Sequence, residues 1–248
     1  MQKDQNEEAL RIYCGDCLTV MDLIPDGSVD MILCDLPYGI TDAKWDCVIP
    51  YDALWAQYDR VLKPNGAAVL FAVQPFSARL IGSNSKAYRY SWYWLKPYST
   101  GFAYARYQPM RKVEEICVFY RKTATYNPQG LVPIQAVTRK KRVMRDGGIY
   151  NHGLDKPYTQ RFRNWPVNVL EYGGEHGLHP TQKPVPLLEY LVRTYTNSGE
   201  TILDNCMGSG STGMAVMRVG GGRKFIGIER SRKFYVIACR RLGVQQSQ

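Results

Sequence analysis

A glycine loop late in the sequence constrains the fold more than any other feature. Residues 200–213, ETILDNCMGSGSTG, read as a short strand, a turn in which Gly208, Gly210 and Gly213 fit G-x-G-x-x-G, and the start of a helix, MAVMRV, closed by Gly220 to Gly222. Glu229 lies 21 residues after Gly208, at the end of a second apolar strand, RKFIGIE, where a carboxylate can accept both hydroxyls of a ribose. The pair points to a nucleoside-cofactor site; tight packing of helix on strand without a ligand is the plainer alternative. A dinucleotide dehydrogenase does not suit the placement. The loop starts 40 residues before the last residue, too few for the strands that follow a nicotinamide-binding turn. Earlier strands are therefore expected to complete the binding half, and S-adenosylmethionine, with adenosine and ribose but no pyrophosphate, suits such a site.

Those earlier strands are visible. SVDMILC is a nearly continuous apolar run, suited to a strand buried on both faces of a parallel sheet, and it stops abruptly at DLPYG, Asp35 to Gly39. YDALWAQYDRVLKPNG reads as a helix stopped by Pro-Asn-Gly, AAVLFAV, YRYSWYWL and EEICVFY as strands, and PVPLLEYLVRTYTNSG as a helix with proline in its first turn. SRKFYVIACRRL is an amphipathic helix expected to be capped by Ser231. The alternation predicts one α/β domain over 1–248 with a mostly parallel sheet. The poorly periodic piece, roughly 121–178, is read as an insertion within it.

Charge is concentrated in the middle of the chain. Sixteen Lys and Arg stand against four acids between Lys86 and Arg163, so this third carries more positive charge than the net +10 of the whole sequence. Interleaved Tyr and Trp can stack on bases, although YRYSWYWL also reads as an alternating core strand; a polyanion is the expected partner, with a solvated basic surface as the plainer alternative. MQKDQNEEAL has no signal-peptide core and no apolar run is long enough to span a bilayer, so a cytoplasmic protein with no membrane partner is expected. The odd count of seven cysteines suggests reduced thiols; Cys14 and Cys17 form a C-x-x-C with no second pair to complete a zinc site, so no metal is expected.

DLPYG then reads chemically. An exocyclic amino group on a nucleobase is a poor nucleophile because its lone pair is delocalised into the ring. Acceptors that pull its hydrogens out of the ring plane restore the lone pair. Asp35 supplies a carboxylate and Leu36 a backbone carbonyl, Pro37 fixes the turn, and Tyr38 offers a ring to stack on the base. Such a base cannot be reached inside a duplex and must be flipped out.

These residues resemble the amino-methyltransferases of DNA, the adenine-N6 and cytosine-N4 enzymes, whose catalytic loop is usually Asp/Asn/Ser-Pro-Pro-Tyr. IYCGDCLTVMDLIPDGSVDMILCDLPYG is similar to the family's catalytic segment, HPTQKPVPLLEYLVRTYTNSGETILDNCMGSGSTG to its cofactor segment, and GIERSRKFYVIACRRL to the strand and helix that follow. The catalytic loop precedes the glycine loop, the order of the family's β group, and WLKPYSTGFAYARYQPMRKVEEICVFY with TYNPQG after it resembles phage and mobile-element members. The resemblance implies a Rossmann-like class I methyltransferase with circularly permuted motifs, in which the basic insertion recognises the target. It assigns Asp35, Leu36, Pro37 and Tyr38 to catalysis. It assigns Asp204, Asn205, Gly208, Gly210, Thr212 and Glu229 to S-adenosylmethionine, assisted by His179, Thr181, Gln182 and Lys183, with Asp16 beside the adenine. Leu36 departs from the family's proline, but the acceptor there is backbone. Asp at position 35 favours adenine N6 in double-stranded DNA, with cytosine N4 and then RNA adenine as alternatives. Recognition sequence, homodimer or monomer, and restriction partner or orphan are left open by the sequence.

Overall fold

An apolar run with no polar face must be covered on both sides, and this requirement organises the molecule. A computed structural model describes residues 9–40, 46–140, 158–175, 177 and 182–246, with the side chains of 136–140 and 158 excepted. In β2 (Val29–Asp35), Met31 and Leu33 enter one apolar cluster while Ile32 and Cys34 enter another, because successive strand side chains point to opposite faces. Its sheet also contains β1 (Leu10–Cys14), β3 (Leu62–Ala72), β4 (Tyr88–Thr100), β5 (Arg111–Phe119), β8 (Val169–Glu171), β9 (Thr201–Asp204) and β10 (Lys224–Glu229). The spatial order is β1-β10-β9-β2-β3-β5-β4-β8. From β1 to β3 all neighbours run parallel; β5 is antiparallel to β3 and β4, and β8 is parallel to β4.

Helices cover both faces. On one, α1 (Cys17–Met21), α2 (Tyr51–Val61) and α3 (Phe76–Ser83) bury Met21, Leu54, Tyr58 and Phe76. On the other, α4 (Val185–Tyr195), α5 (Ser211–Val219) and α6 (Arg232–Leu242) bury Leu188, Leu191, Val216 and Ala238. The architecture is the expected Rossmann-like α/β fold. One boundary differs: α2 ends at Val61 with Leu62 already extended, before the Pro-Asn-Gly read as its stop, and the intervening residues start β3. A residue preceding proline is driven out of the helical region, which favours the early exit. Among the described residues no helix is long and apolar enough to cross a membrane.

The last two strands in the chain, β9 and β10, sit between β1 and β2, as a permuted order requires. β9 continues into α5 on one face, whereas β2 continues toward α2 on the other. Where adjacent strands send the chain to opposite faces, a crevice opens at their carboxyl ends. Asp204 and Asp35 end these two strands. At the opposite ends of these strands, buried Asp30 accepts from Lys63 Nζ at 2.7 and 2.8 Å and from Thr201 N at 2.9 Å.

The chain forms two compact units, Met1–Asn127 with Asn168–Gln248, and Pro128–Val167. In the second, β6 (Val132–Lys140) pairs antiparallel with β7 (Tyr158–Arg163), and Asn164 donates from Nδ2 to the Gly130 carbonyl at 2.7 Å. The stretch 121–178 read from the sequence is wider than this unit, since β8 belongs to the large sheet. Residues 141–157 of that stretch lie outside the described residues.

Candidate active site

β2 delivers Asp35 to the crevice, and the next residues hold it there. The Tyr38 hydroxyl donates to Asp35 Oδ1 at 2.5 Å, and the Lys183 ammonium donates to Oδ2. Burial and the Asp35 charge push the Tyr38 phenol up, so it stays protonated and donates at neutral pH. Its ring lies 4.9 Å from that of Phe76. Leu36, which stands where the family has proline, is 4% exposed and packs in the core with Cys34 and Phe76. Burial of that side chain supplies the anchorage that a ring would otherwise give. Beyond it, the amides of Gly39 and Ile40 donate to the two carboxylate oxygens of buried Asp46 at 2.8 and 2.9 Å.

The glycine loop follows β9. Gly208 and Gly210 have φ of 53° and 79°, the left-handed region in which a side chain is strained. Gly208 N donates to Glu229 Oε2 at 2.9 Å and Ser231 N to Oε1 at 2.7 Å, so backbone amides aim this carboxylate. Burial pushes the Glu229 carboxyl up, and the amides only partly offset it. Ser231 occupies the N-cap position of α6 but its hydroxyl makes no capping bond, contrary to the sequence expectation. Its N–H, instead, serves Glu229. Asp204 is pushed up to about 7 by burial, despite hydrogen bonds from Thr212 and from Cys206 N. The Tyr58 hydroxyl donates to Asn205 Oδ1 at 2.7 Å, and Asp16 Oδ1 caps α1 by accepting from Leu18 N at 3.1 Å.

Both sets of residues open on one cavity of about 740 Å³, within the ~300–1,000 Å³ typical of ligand sites. Every residue that the resemblance assigned to catalysis or to the cofactor lines it except three. His179 and Thr181 lie outside the described residues. Gly210 does not line the cavity: a Cβ there would meet Leu242 and Ala238 of α6 at 3.2–3.3 Å, so the loop's second glycine serves packing against that helix. Lys183, grouped by the resemblance with the cofactor, sits instead against Asp35. Burial would lower its pKa, but the Asp35 and Glu114 carboxylates outweigh that and hold it raised, so it remains an ammonium.

Sequence reading missed Glu114, Lys96 and Asp46. Glu114 Oε1 accepts from Lys96 Nζ at 3.1 Å, and Oε2 lies 3.6 Å from Lys183 Nζ. Adjacent Glu115 points to the other face, accepting from Ser77 Oγ at 2.8 Å. The available signal was a pair of acids in an otherwise basic stretch. Among the described residues no group of three His, Cys, Asp or Glu is arranged to hold a metal, and none of the seven cysteines is in a disulfide.

Acceptors dominate the chemistry of the glycine-loop end. Carboxylates at Asp16, Asp204 and Glu229, beside the apolar side chains of Met207 and Phe234, fit a nucleoside's amino group, ribose hydroxyls and ring.

Comparison with known proteins agrees with this geometry. A family model described as DNA methylase matches residues 29–240. The chain is 30% identical over 260 residues to the DNA adenine methyltransferase YhdJ of Escherichia coli (strain K12), covering 96% of this chain and 84% of that protein. It is 25% identical to the type II methyltransferase M.HpaI of Haemophilus parainfluenzae, covering 94% and 74%. Among solved structures, an M1.HpyAVI–SAM complex aligns with a TM-score of 0.62 at 22% identity, covering 94% of this chain and 100% of that one. The cytosine-N4-specific PvuII DNA methyltransferase aligns with a TM-score of 0.66 at 15% identity, covering 97% and 90%.

Proposed function

The chain belongs to the DNA methylase family, whose members transfer methyl groups from S-adenosylmethionine to amino groups of DNA bases, and on that premise we propose that its target is N6 of an adenine flipped out of duplex DNA. The observation that carries this reading is Asp35, held at the end of β2 by Tyr38 and Lys183 in the same cavity as Glu229. Glu229 would hold the ribose, Asp16 the adenine amino group, and Asp204 with Thr212 and Asn205 the remainder of the cofactor. When bound, S-adenosylmethionine supplies an electrophilic methyl carbon on a sulfonium.

The chain's own residues prepare the nucleophile. Asp35 and the Leu36 carbonyl accept the amino hydrogens of the base, drawing the lone pair out of conjugation, and Tyr38 presents a ring to the base. After transfer the methylated nitrogen carries a positive charge and must release one proton, for which the Asp35 carboxylate is the adjacent acceptor. Flipping the base costs a few kcal/mol of stacking and pairing, which phosphate contacts from the basic stretch offset. Residues 121–178 are the target-recognition segment in this reading, and DNA as substrate together with free thiols suits the cytoplasm.

One relative, YhdJ, supports adenine by name, whereas the fold is shared with a cytosine-N4 enzyme. Incubation with duplex DNA and labelled S-adenosylmethionine, followed by digestion to nucleosides, distinguishes them. N6-methyladenine is the expected product; N4-methylcytosine would move the assignment to the other amino group, and label in neither would overturn the reading.

A further inference from the structure

Resting on the reading above, we propose that Glu114 is a positioning residue that takes the Lys183 ammonium away from Asp35 when the target base enters, and that until then the ammonium holds the base's place. Both Asp35 oxygens are engaged in the structure, Oδ1 by the Tyr38 hydroxyl and Oδ2 by Lys183. Oδ2 has room for a second donor, but an ammonium there neutralises the charge that makes it a strong acceptor and outcompetes a neutral amino N–H, so the base is gripped more firmly once Lys183 moves off. The lysine cannot retreat into water, because its side chain is 9% exposed and its Nζ lies over the Phe71 ring, 5.1 Å from the centroid. Its second acceptor is already in place. Glu114 Oε2 is buried, makes no hydrogen bond among the described residues, and lies 3.6 Å from Lys183 Nζ. Closing that gap to an ordinary 2.7–3.2 Å takes a movement of less than about 1 Å.

Charge balance favours the exchange. Asp35, Lys183, Glu114 and Lys96 alternate in sign, and Lys96 already holds the other Glu114 oxygen at 3.1 Å. A shift of the ammonium from Asp35 to Glu114 therefore keeps Lys183 paired, and Asp35 keeps hydrogen-bond donors in the Tyr38 hydroxyl and the entering base. Without Glu114 as a carboxylate, Lys183 has only Asp35 to pair with, and the base must compete with a full positive charge.

A double-mutant cycle of Glu114→Gln and Lys183→Met tests this. Glu114→Gln is expected to bind cofactor within about two-fold of wild type by calorimetry, yet to lose at least roughly ten-fold in the single-turnover methylation rate. In the Lys183→Met background the same change is expected to cost nothing further. An independent readout without cofactor is the emission of 2-aminopurine placed next to the mapped target adenine; the target keeps its N6 amino group, and emission rises when the target flips and unstacks the probe. It should be lower in Glu114→Gln and recover in the double variant. Should Glu114→Gln fail to fold, Lys183→Met alone should give emission at least equal to wild type. A wild-type rate for Glu114→Gln, an equal loss with and without Lys183, or emission below wild type in Lys183→Met would overturn the proposal. Absence of any methylation by the wild-type chain would instead overturn the methyltransferase reading beneath it.

Discussion

The two ends of the cavity are held by different kinds of atoms. At the glycine loop, Glu229 is aimed by the backbone amides of Gly208 and Ser231, within one strand-loop-helix-strand run of the chain. At the other end, Asp35 is held by a phenol and by an ammonium 148 positions away, and that ammonium is shared with Glu114 of β5. The first end depends on backbone conformation and tolerates changes of charge elsewhere. The second depends on a balance of side-chain charges, and a single neutralisation disturbs all its members.

The contrast can be broken most directly at Asp35. Asp35→Ala should lower methyl transfer by about 10²–10⁴-fold, the usual worth of a group handling the reacting proton, while calorimetric cofactor affinity stays unchanged. Parallel loss of cofactor binding would show that the ends are not separable. The converse variant, Glu229→Ala, removes a charged acceptor worth about 1.5–3 kcal/mol, so cofactor Kd should rise roughly 10- to 150-fold with duplex binding intact.

Asp204 sharpens the comparison through pH. Its native carboxyl titrates near 7 against an ordinary value of 3.8, so between those values the folded state binds more protons than the unfolded one. The stability it contributes is full below about pH 4 and is lost as pH rises to about 7. Chemical denaturation of Asp204→Asn should therefore show the variant gaining on wild type across that window, by at most about 1.4 kcal/mol per pH unit. A pH-independent difference between the two would refute the assignment of the buried carboxyl. The smallest effect is expected at Gly213, where an added Cβ would meet Leu242 and Phe225 at 2.9 Å. Gly213→Ala should cost about 1–3 kcal/mol in urea unfolding by overpacking, with the activity of the folded fraction unchanged.

The sheet, the glycine loop and DLPYG were all legible because each is written in contiguous residues. Period-2 burial, left-handed glycines and a strand-ending acid are local properties, set by sterics and by the need to cover apolar faces. Even the permuted order was visible, since it follows from which motif comes first. Three features were not legible: the turning of Gly210 toward α6, the pinning of Gly39 and Ile40 by Asp46, and the Asp35–Lys183–Glu114–Lys96 chain. Glu114 and Glu115 are indistinguishable in sequence, and only their opposite faces on β5 decide that one enters the cavity while the other meets Ser77.

The amino-acid sequence by itself determined the order of elements, the two loops that carry the chemistry and the identity of the acceptors. Tertiary structure alone decided which charges face those acceptors. The reason is physical: backbone conformation is governed by neighbours along the chain, whereas Coulomb interactions between side chains are governed by distance and burial, which exist only after the strands have been laid side by side.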